Sequence, residues 1–599
     1  MKCYKKDYPR TQFVREQWFN LNGQWNFSFD DENCGEHEQW FKAFKKQFDI
    51  QVPYTYETNL SGIEDETVHN FVWYHRTLEI DSEKLKDHRY VLHFEGSDYF
   101  TKLWVNGEYV GSHRGGYSRF SFDIAHLLNE GKNDVVVKVE DSLDQQQPRG
   151  KQRWRDENFG CWYVQTTGIW KTVWGEYVPL MSISRVKMTP VLEEGRLAVE
   201  CFLDLNTETA PSELNLEVNI SYDRKTVNRS IFDVKKKQMQ LNLDVKSEQL
   251  PDVRWNVHTW SPQTPNLYDI EFRLIESGQV VDKVASYFAM RDIRIEGDRV
   301  LLNGSPLYQK LILDQGYWQR SHLTPPNEEA LIEDLDRIYE LGYNGLRKHQ
   351  KIEDERFLYW CDVKGILVWS EAAATYEFSD DAVEKFTNEW IEIIKQNYNH
   401  PCIITWVPFN ESWGLSEIYF NRQEQQFTEA IYNLTKSIDA MRPVIVNDGW
   451  EHTVSDIITL HDYEVGGETF KRRYTELKDA ILDSKVRHNT EKTAFAKGYR
   501  YAGQPVMITE YGGIAFENDE SGWGYGKKVQ DEDEFIRRFE SITMAIKELS
   551  YVSGYCYTQL TDVQQEINGL MDIERNYKVA PEKVREINER AAECLYEKM

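Results

Sequence analysis

Seven acids stand at or just beyond the ends of apolar runs in the second half of the chain: Asp314, Glu371, Glu411, Asp448, Asp462, Glu510 and Asp562. Two carboxyl groups that flank one bond can hydrolyse a glycoside. One protonates the leaving oxygen; the other attacks the anomeric carbon or activates water. Seven acids exceed what that chemistry needs, and position alone does not choose a pair. The plain alternative for any one of them is a helix cap or an ion pair. Two have distinctive surroundings. Glu411, in WVPFNESWG, follows Asn410, whose amide can bond a sugar hydroxyl beside the reacting carbon. Glu510, in ITEYGG, precedes Tyr511, a phenol able to hold a carboxylate ionised, and Gly512-Gly513, which permit an unusual loop path.

Aromatic side chains near the same strand ends are candidate walls of a sugar pocket, because a flat apolar face with a polar tip suits a pyranose. They are Trp450, Tyr463 and Tyr557, with His461 and Glu371 as polar counterparts. Each is equally compatible with a place in the core.

The elements that must position these residues fall into three textures. Residues 1–180 alternate apolar and polar in short runs (WNFSF, WYHRTLEI, YVLHFEG, TKLWVNG, DVVVKVED) broken by turns such as Asn106-Gly107 and Arg114-Gly115-Gly116. That pattern predicts a jelly-roll β-sandwich. Residues 181–290 carry further alternating strands (LAVECFLDL, LNLEVNISYD, YDIEFRLIE), which predicts an immunoglobulin-like β-sandwich without a Cys…Trp…Cys framework. Residues 291–599 switch to strand–helix alternation. Apolar strands are expected at 307–313, 344–349, 365–371, 402–411, 443–448, 456–463, 505–511 and 553–559. Amphipathic stretches lie between most of them. In NEEALIEDLDRIYELG, Leu331, Leu335, Ile338 and Leu341 share a helical face. Eight such units predict a catalytic (β/α)8 TIM barrel, whose chemistry sits at the C-terminal ends of the strands. The polar 464–500 segment reads as an active-site loop with some helix.

Composition narrows the partners. The chain has 599 residues, so several domains are expected, since single cores stop growing near roughly 250–300 residues. A formal net charge of −28 argues against nucleic acid and against anionic membranes. Cysteines at 3, 34, 161, 201, 361, 402, 556 and 594 form no Cys-x-x-Cys pair, so no zinc or redox motif is expected. MKCYKKDYPRTQF has no apolar leader, and a cytoplasmic location is expected.

Nearly the whole chain resembles glycoside hydrolase family 2, the family of bacterial β-galactosidases, β-glucuronidases and β-mannosidases. LNGQWNFSFD, WYHRTL, LWVNGEYVGSHRGGYSRFSFD, PRGKQ and TTGIWKTVW are similar to its sugar-binding domain. WSPQTPNLYDIEFRL and FAMRDIRIEGDRVLLNGSPLY are similar to its immunoglobulin-like domain running into the barrel. FNES and ITEYGG match its acid/base and nucleophile motifs. The resemblance implies Glu411 as general acid/base, Glu510 as nucleophile and Asn410 at the sugar 2-hydroxyl, with Arg347 and His349 as sugar-binding residues. It implies a retaining β-glycosidase, β-galactosidase-like by family frequency, acting on a small glycoside or oligosaccharide without metal or organic cofactor. Dimers or tetramers are common assemblies in such a family. Uronic-acid or pentopyranose specificity, and a carbohydrate-binding protein without turnover, stay open as alternatives.

The chain departs from the family pattern around the sugar. Strand two reads Arg347-Lys348-His349-Gln350 instead of R-T-S-H-Y-P, and strand one ends Leu311-Ile312-Leu313-Asp314 instead of H-E-D or H-E-H. Trp162 stands where many relatives send an Asp into the pocket. Glu566-Ile567-Asn568 occupies the place of the Asn-x-Lys of glucuronidases, while Asn576-Tyr577-Lys578 spells that motif later. Glu566 would repel a uronate, which favours a neutral pyranose.

Overall fold

The computed structural model describes residues 4–81, 83–205, 213–251, 253–488, 491–517 and 522–592. Cys3 and Cys594 lie outside them; the cysteines within them are free thiols. No helix among the described residues is long and apolar enough to cross a membrane.

The first unit packs two antiparallel sheets face to face. One runs, in spatial order, Phe48–Val52, Gly23–Phe29, Phe71–Ile80, Gly131–Glu140, Phe100–Val105 and Glu108–Arg114. The other runs Trp18–Asn20, Val173–Pro179, His88–Phe94 and Phe120–Asp123. Alternation sends Trp25, Phe27, Tyr74, Leu103, Val135 and Val137 into one core. Asn106 (φ 51°) and Gly107 (φ 81°) make the tight turn between Val105 and Glu108.

The second unit is a sandwich of three and four strands. Ser182–Val191, Arg196–Asp204 and Gln238–Asp244 face Lys225–Asp233, Leu214–Tyr222, Tyr268–Glu276 and Gln279–Phe288. Leu197, Val199, Cys201 and Leu203 interdigitate with Leu216, Val218, Phe272 and Leu274.

The third unit is the barrel. Its strands are β1 (Gln309–Asp314), β2 (Gly345–Lys348), β3 (Leu367–Glu371), β4 (Ile403–Val407, continued by Phe409–Asn410), β5 (Asn447–Asp448), β6 (Ile458–His461), β7 (Val506–Glu510) and β8 (Val552–Tyr557). A parallel sheet runs β4-β3-β2-β1-β8-β7-β6. The short β5 pairs with Phe409–Asn410 and closes the ring onto β6 through the His461 amide on Gly449 O (3.2 Å). Helices cover the outside. In Glu328–Glu340, Leu331, Leu335 and Ile338 are buried, the Asn327 side chain caps the Ala330 amide (2.8 Å), and Gly342 follows the end at φ 81°.

The jelly-roll loop 141–167 lies against the C-terminal face of the barrel. Arg149 and Gly150 amides donate to Ala374 O at 2.9 and 3.1 Å, and Tyr376 N donates to Gln145 O at 2.8 Å. Gly150 (φ 62°) is obligatory here, because a Cβ would meet Gln350 O at 2.5 Å. The 464–500 segment contributes helices Gly467–Glu476 and Lys478–Leu482 beside the same face.

Candidate active site

Arg347, fully buried at the end of β2, gathers three of the strand-end acids. Its guanidinium lies 2.6 Å from Glu371 Oε2 and 2.6 Å from Asp448 Oδ2, pairs with Glu510 Oε1, and donates to Asn410 Oδ1 at 3.2 Å. His461, which ends β6, supplies a second cation. Its Nε2 is 3.0 Å from Asp448 Oδ2; its Nδ1 is 2.8 Å from Glu411 Oε1 and 3.5 Å from Glu510 Oε2. Burial opposes charge on this imidazole. The Glu510 and Asp448 charges and the bonds to Asp448 and Glu411 outweigh burial and push its pKa up to about 10.

The acids respond to the same two cations. Burial disfavours the Glu510 carboxylate, yet His461, Arg347 and the Tyr463 phenol bring its pKa down to about 2. Asp448 is held well below the usual carboxylate range, again against burial, by Arg347 and His461. Glu371 goes the other way: burial, with Asp448 and Glu510 nearby, exceeds the pull of Arg347 and lifts its pKa to about 7. Glu371 is 0 % exposed and bonds the Gln350 amide at 2.9 Å. It braces Arg347 and lies outside the lining of the cleft, where it was expected as a sugar-binding residue.

One oxygen of Glu411, one of Glu510 and one His461 nitrogen lie within 4.8 Å of one another. As an imidazolium, His461 offers a hydrogen to each neighbouring carboxyl group. Glu411 and Ser412 adopt left-handed backbone (φ 52° and 58°). Neighbours hold that strained turn: Glu411 N donates to Asp448 O, and Ser412 N to Asn447 Oδ1, both at 2.9 Å.

Tyr463 donates to Glu510 Oε2 at 2.6 Å and stacks on Tyr525, centroids 3.4 Å apart. Tyr511 does not serve Glu510. Successive residues of a strand face opposite sides, and its hydroxyl meets Thr543 Oγ1 (3.0 Å) on the helix-facing side. The same alternation removes Tyr557 from the pocket. Its ring packs on Tyr511 and on Phe539 of the outer helix Glu532–Lys547. Gly512 and Gly513 do take the unusual path, at φ 86° and 57°.

Three strand-end acids are engaged elsewhere. Asp314 pairs with Lys348 (2.6 Å), Asp462 with Arg473 (2.7 Å) and Asp562 with Lys578 (2.8 Å). The last pair accounts for the later Asn-x-Lys spelling. His349 is buried, with Nδ1 2.8 Å from Glu371 Oε1 but off the hydrogen-bonding direction. Burial, with Lys151 and Arg347 nearby, keeps its pKa far below the usual histidine range. Asn410 Nδ2 is buried without a protein partner beside the carboxylates.

A cleft of about 990 Å³ opens from these groups. Barrel residues Glu411, Trp413, Trp450, His461 and Tyr463 line it, as do Trp154 from the jelly roll, Tyr376 after β3, and Arg487 and Lys492 from the 464–500 segment. Trp450 sits edge-on to His461, centroids 5.5 Å apart.

Sequence reasoning passed over Lys151. This buried lysine of PRGKQ is brought in by the jelly-roll loop, 6.0 Å from the Trp162 ring. Burial opposes its charge, but Cys161, Glu566, Tyr376 and Glu411 around it raise its pKa well above the usual lysine range. Among the described residues no carboxylate lies within 4.0 Å of its Nζ. Glu566 instead bonds Tyr163 OH, Gln315 Nε2 (3.3 Å) and Asn568 Nδ2 (3.1 Å).

The chain matches three family profiles in order. Residues 19–174 match "Glycosyl hydrolases family 2, sugar binding domain", 181–291 match "Glycosyl hydrolases family 2", and 293–591 match "Glycosyl hydrolases family 2, TIM barrel domain". A putative beta-glucuronidase of Formosa agariphila is 26% identical over 463 residues, 71% of this chain and 52% of that protein, so the chain spans about half the length of that relative. A beta-galactosidase of Thermoanaerobacter pseudethanolicus is 25% identical over 536 residues, 85% of this chain and 67% of its own. Among solved structures, a Bifidobacterium dentium beta-glucuronidase superposes with TM-score 0.78 at 18% identity, covering 96% of this chain and 97% of that one. A beta-galacturonidase of Eisenbergiella tayi gives TM-score 0.74 at 20% identity, covering 97% and 98%. Three matching domains in order, above a barrel whose strand ends gather acids around Arg347 and His461, place the chain in glycoside hydrolase family 2, a family of β-glycosidases.

Proposed function

We propose that the chain is a retaining exo-β-glycosidase acting on a terminal non-reducing pyranoside, with Glu411 as general acid/base and Glu510 as nucleophile. The observation that carries this reading is the approach of the two carboxylates to within 4.8 Å around His461. Retaining enzymes hold their carboxyl groups about 5–5.5 Å apart; inverting enzymes leave room for a water between them. Glu510, ionised by Arg347, His461 and Tyr463, attacks the anomeric carbon. Glu411 gives its proton to the leaving oxygen as the glycosidic bond breaks, and the sugar becomes an ester of Glu510. Glu411 then takes a proton from water, whose oxygen displaces Glu510. Two inversions restore the β configuration. Asn410 Nδ2 is placed to donate to the sugar 2-hydroxyl, and neutral His349 to bond another hydroxyl. Arg347 and Glu371 act as positioning residues. The route needs no metal or organic cofactor.

Buried Tyr163, Gln315, Glu566 and Asn568 beside Lys151 support an inner end closed to longer chains, hence action on a terminal unit. Glu566, an acceptor there, supports a neutral sugar and thus the β-galactoside. Lys151 supports a second reading, a uronide whose carboxylate meets that ammonium. A panel of p-nitrophenyl β-D-galactoside, glucuronide and galacturonide and an α-L-arabinopyranoside tests both readings. Proton NMR of the first-formed product tests retention. A first-formed α-anomer, or full activity in Glu510→Ala, would falsify the mechanism; sugar binding without turnover across the panel would favour a binding protein.

A further inference from the structure

We infer that the cavity where the three domains meet is an oxyanion site, which binds a phosphate group either free or as the monoester of a small molecule. The cavity has a volume of about 400 Å³ and shares no lining residue with the cleft. Arg10 reaches it from the segment before the first sheet and Arg119 from the jelly roll. Arg185 comes from the immunoglobulin-like sandwich, and Lys395 from the barrel helix Asp380–Asn397. In a chain of formal net charge −28, these four cations face two carboxylates, Glu355 and Glu392. Both carboxylates are already engaged. Glu355 pairs with Arg119 (2.5 Å) and accepts the Gln12 amide (3.1 Å). Glu392 lies 2.9 Å from His113 Nε2 and accepts from Ser118 Oγ at 2.7 Å.

Arg10 and Arg185 are left without counterions. Among the described residues no carboxylate lies within 4.0 Å of either guanidinium. Arg10 rests on the Phe13 ring (4.8 Å), and its Nε is buried with no hydrogen-bond partner. Arg185 rests on the Phe202 ring (4.0 Å). A β-bulge between Ile183 and Arg185 interrupts the pairing of its strand, a device that re-aims a side chain. Burial lowers the pKa of both arginines, and Arg119 nearby lowers that of Arg10 further. A desolvated cation without a partner is costly, and a bound anion offsets that cost. Guanidinium forks match the oxygens of a phosphate in pairs, which a chloride ion cannot exploit.

The volume lies at the low end for small-molecule pockets, so room remains beyond the phosphate itself. Phe120 and Val186 line the same cavity and offer apolar surface to an organic group. An ion held by Arg10, Arg119 and Arg185 joins the jelly roll to the immunoglobulin-like sandwich. Its binding should therefore raise the unfolding temperature.

Isothermal titration calorimetry and thermal unfolding of the full chain, with sodium phosphate and with glucose 6-phosphate, test the site. Sodium chloride holds the ionic strength constant throughout. Wild type should bind at least one of the two saturably, with Kd below about 1 mM, and unfold at a higher temperature when it is bound. Tighter binding of glucose 6-phosphate assigns the site to a monoester; phosphate binding as tightly or more so assigns it to the free ion. Arg10→Met and Arg185→Met should each weaken binding about tenfold or more, the value of a charged hydrogen bond, and Arg185→Lys should recover part of the loss. Lys310→Met, which alters a separate cavity, should leave Kd unchanged. Arg185 makes no polar contact to lose, so Arg185→Met should unfold with wild type in phosphate-free buffer and carries the decision if Arg10→Met does not fold. Wild-type binding weaker than about 1 mM for both ligands overturns the inference. So does a Kd that Arg185→Met leaves unchanged, or one that Lys310→Met weakens as much.

Discussion

Tyr463 donates its phenol hydrogen to Glu510 Oε2 at 2.6 Å, reaching from just after β6 to the end of β7. A hydrogen bond to a carboxylate stabilises the ion over the acid, so this contact helps keep the Glu510 pKa at about 2.

Tyr463→Phe removes that bond and a longer one, 3.2 Å, between the phenol and Thr558 Oγ1. Bonds to charged groups contribute about 1.5–3 kcal/mol, so kcat/KM should fall about 10- to 150-fold. The acid limb of the kcat/KM profile should move to higher pH, since Glu510 then protonates more readily. Tyr511→Phe, which loses only Thr543, should leave that limb in place. A Tyr463→Phe profile superimposable on wild type would remove the phenol from the mechanism.

His461 makes a pH prediction with a definite sign. Its folded pKa of about 10 stands above an unfolded value near 6.5. The folded state therefore binds the proton more tightly. The contribution is complete below about pH 6.5 and is lost as pH rises through 10. Denaturation midpoints of wild type should fall over that interval more steeply than those of His461→Asn. Activity should fall over the same interval as Glu510 loses a cationic neighbour. Parallel stability curves for the two proteins would show that His461 is neutral in the folded state.

The large divisions of this chain were legible because they rest on local periodicity. Period-two runs marked the two sandwiches, and Leu331, Leu335 and Ile338 marked a helix that does bury them. The two candidate acids stood out because each has a contiguous setting, Asn410 beside Glu411 and Gly512-Gly513 after Glu510, and the family resemblance chose them from the seven. Adjacency in sequence misled where strand alternation decides. Tyr511 is next to Glu510 and faces away, whereas Tyr463 is 47 residues distant and touches it. Tyr557 failed for the same reason. Lys151 had no local signal, because its significance arises only when the jelly-roll loop docks on Ala374 and Gln350 of the barrel. The central role of Asp448, visible only as one acid of seven, comes from its contacts with Arg347 of β2 and His461 of β6, which no local run of sequence displays.

Gly512 is a stability test of the loop that follows Glu510. Its φ of 86° disfavours any L side chain, and a Cβ there would overlap the Tyr557 ring. Strained backbone costs about 1–3 kcal/mol and overpacking a further 1–3. Gly512→Ala should therefore destabilise the barrel by about 2–6 kcal/mol and depress kcat by displacing Glu510, as chemical denaturation and steady-state kinetics would show. Gly503→Ala is the comparison: φ is also positive (90°), but no atom lies within 4 Å of the added carbon. Strain alone remains there, and Gly503 is remote from the carboxylates. Equal losses of stability in the two variants would mean that the Tyr557 contact is accommodated.

Lys151 distinguishes the two sugars. A buried ammonium with no carboxylate inside ion-pairing range retains most of its desolvation cost, and a bound carboxylate would offset it. A galactoside brings only hydroxyls, for which the lysine is one donor among several. Lys151→Met keeps the length and apolar stem while deleting the charge. If the inner site takes a uronide, the variant should lose about 10- to 150-fold in kcat/KM for the glucuronide or galacturonide, the value of one charged hydrogen bond. The galactoside should lose less than fivefold. If the site takes the galactoside, Glu566 becomes the residue whose change is felt: Glu566→Gln should cost the galactoside more than Lys151→Met does. Thermal unfolding of both variants guards against a shared folding defect, since Lys151 and Glu566 lie on different domains that meet at this site. A galactoside loss as large as the uronide loss in Lys151→Met, with unfolding unchanged, would show that the ammonium supports Glu411 and does not select the sugar.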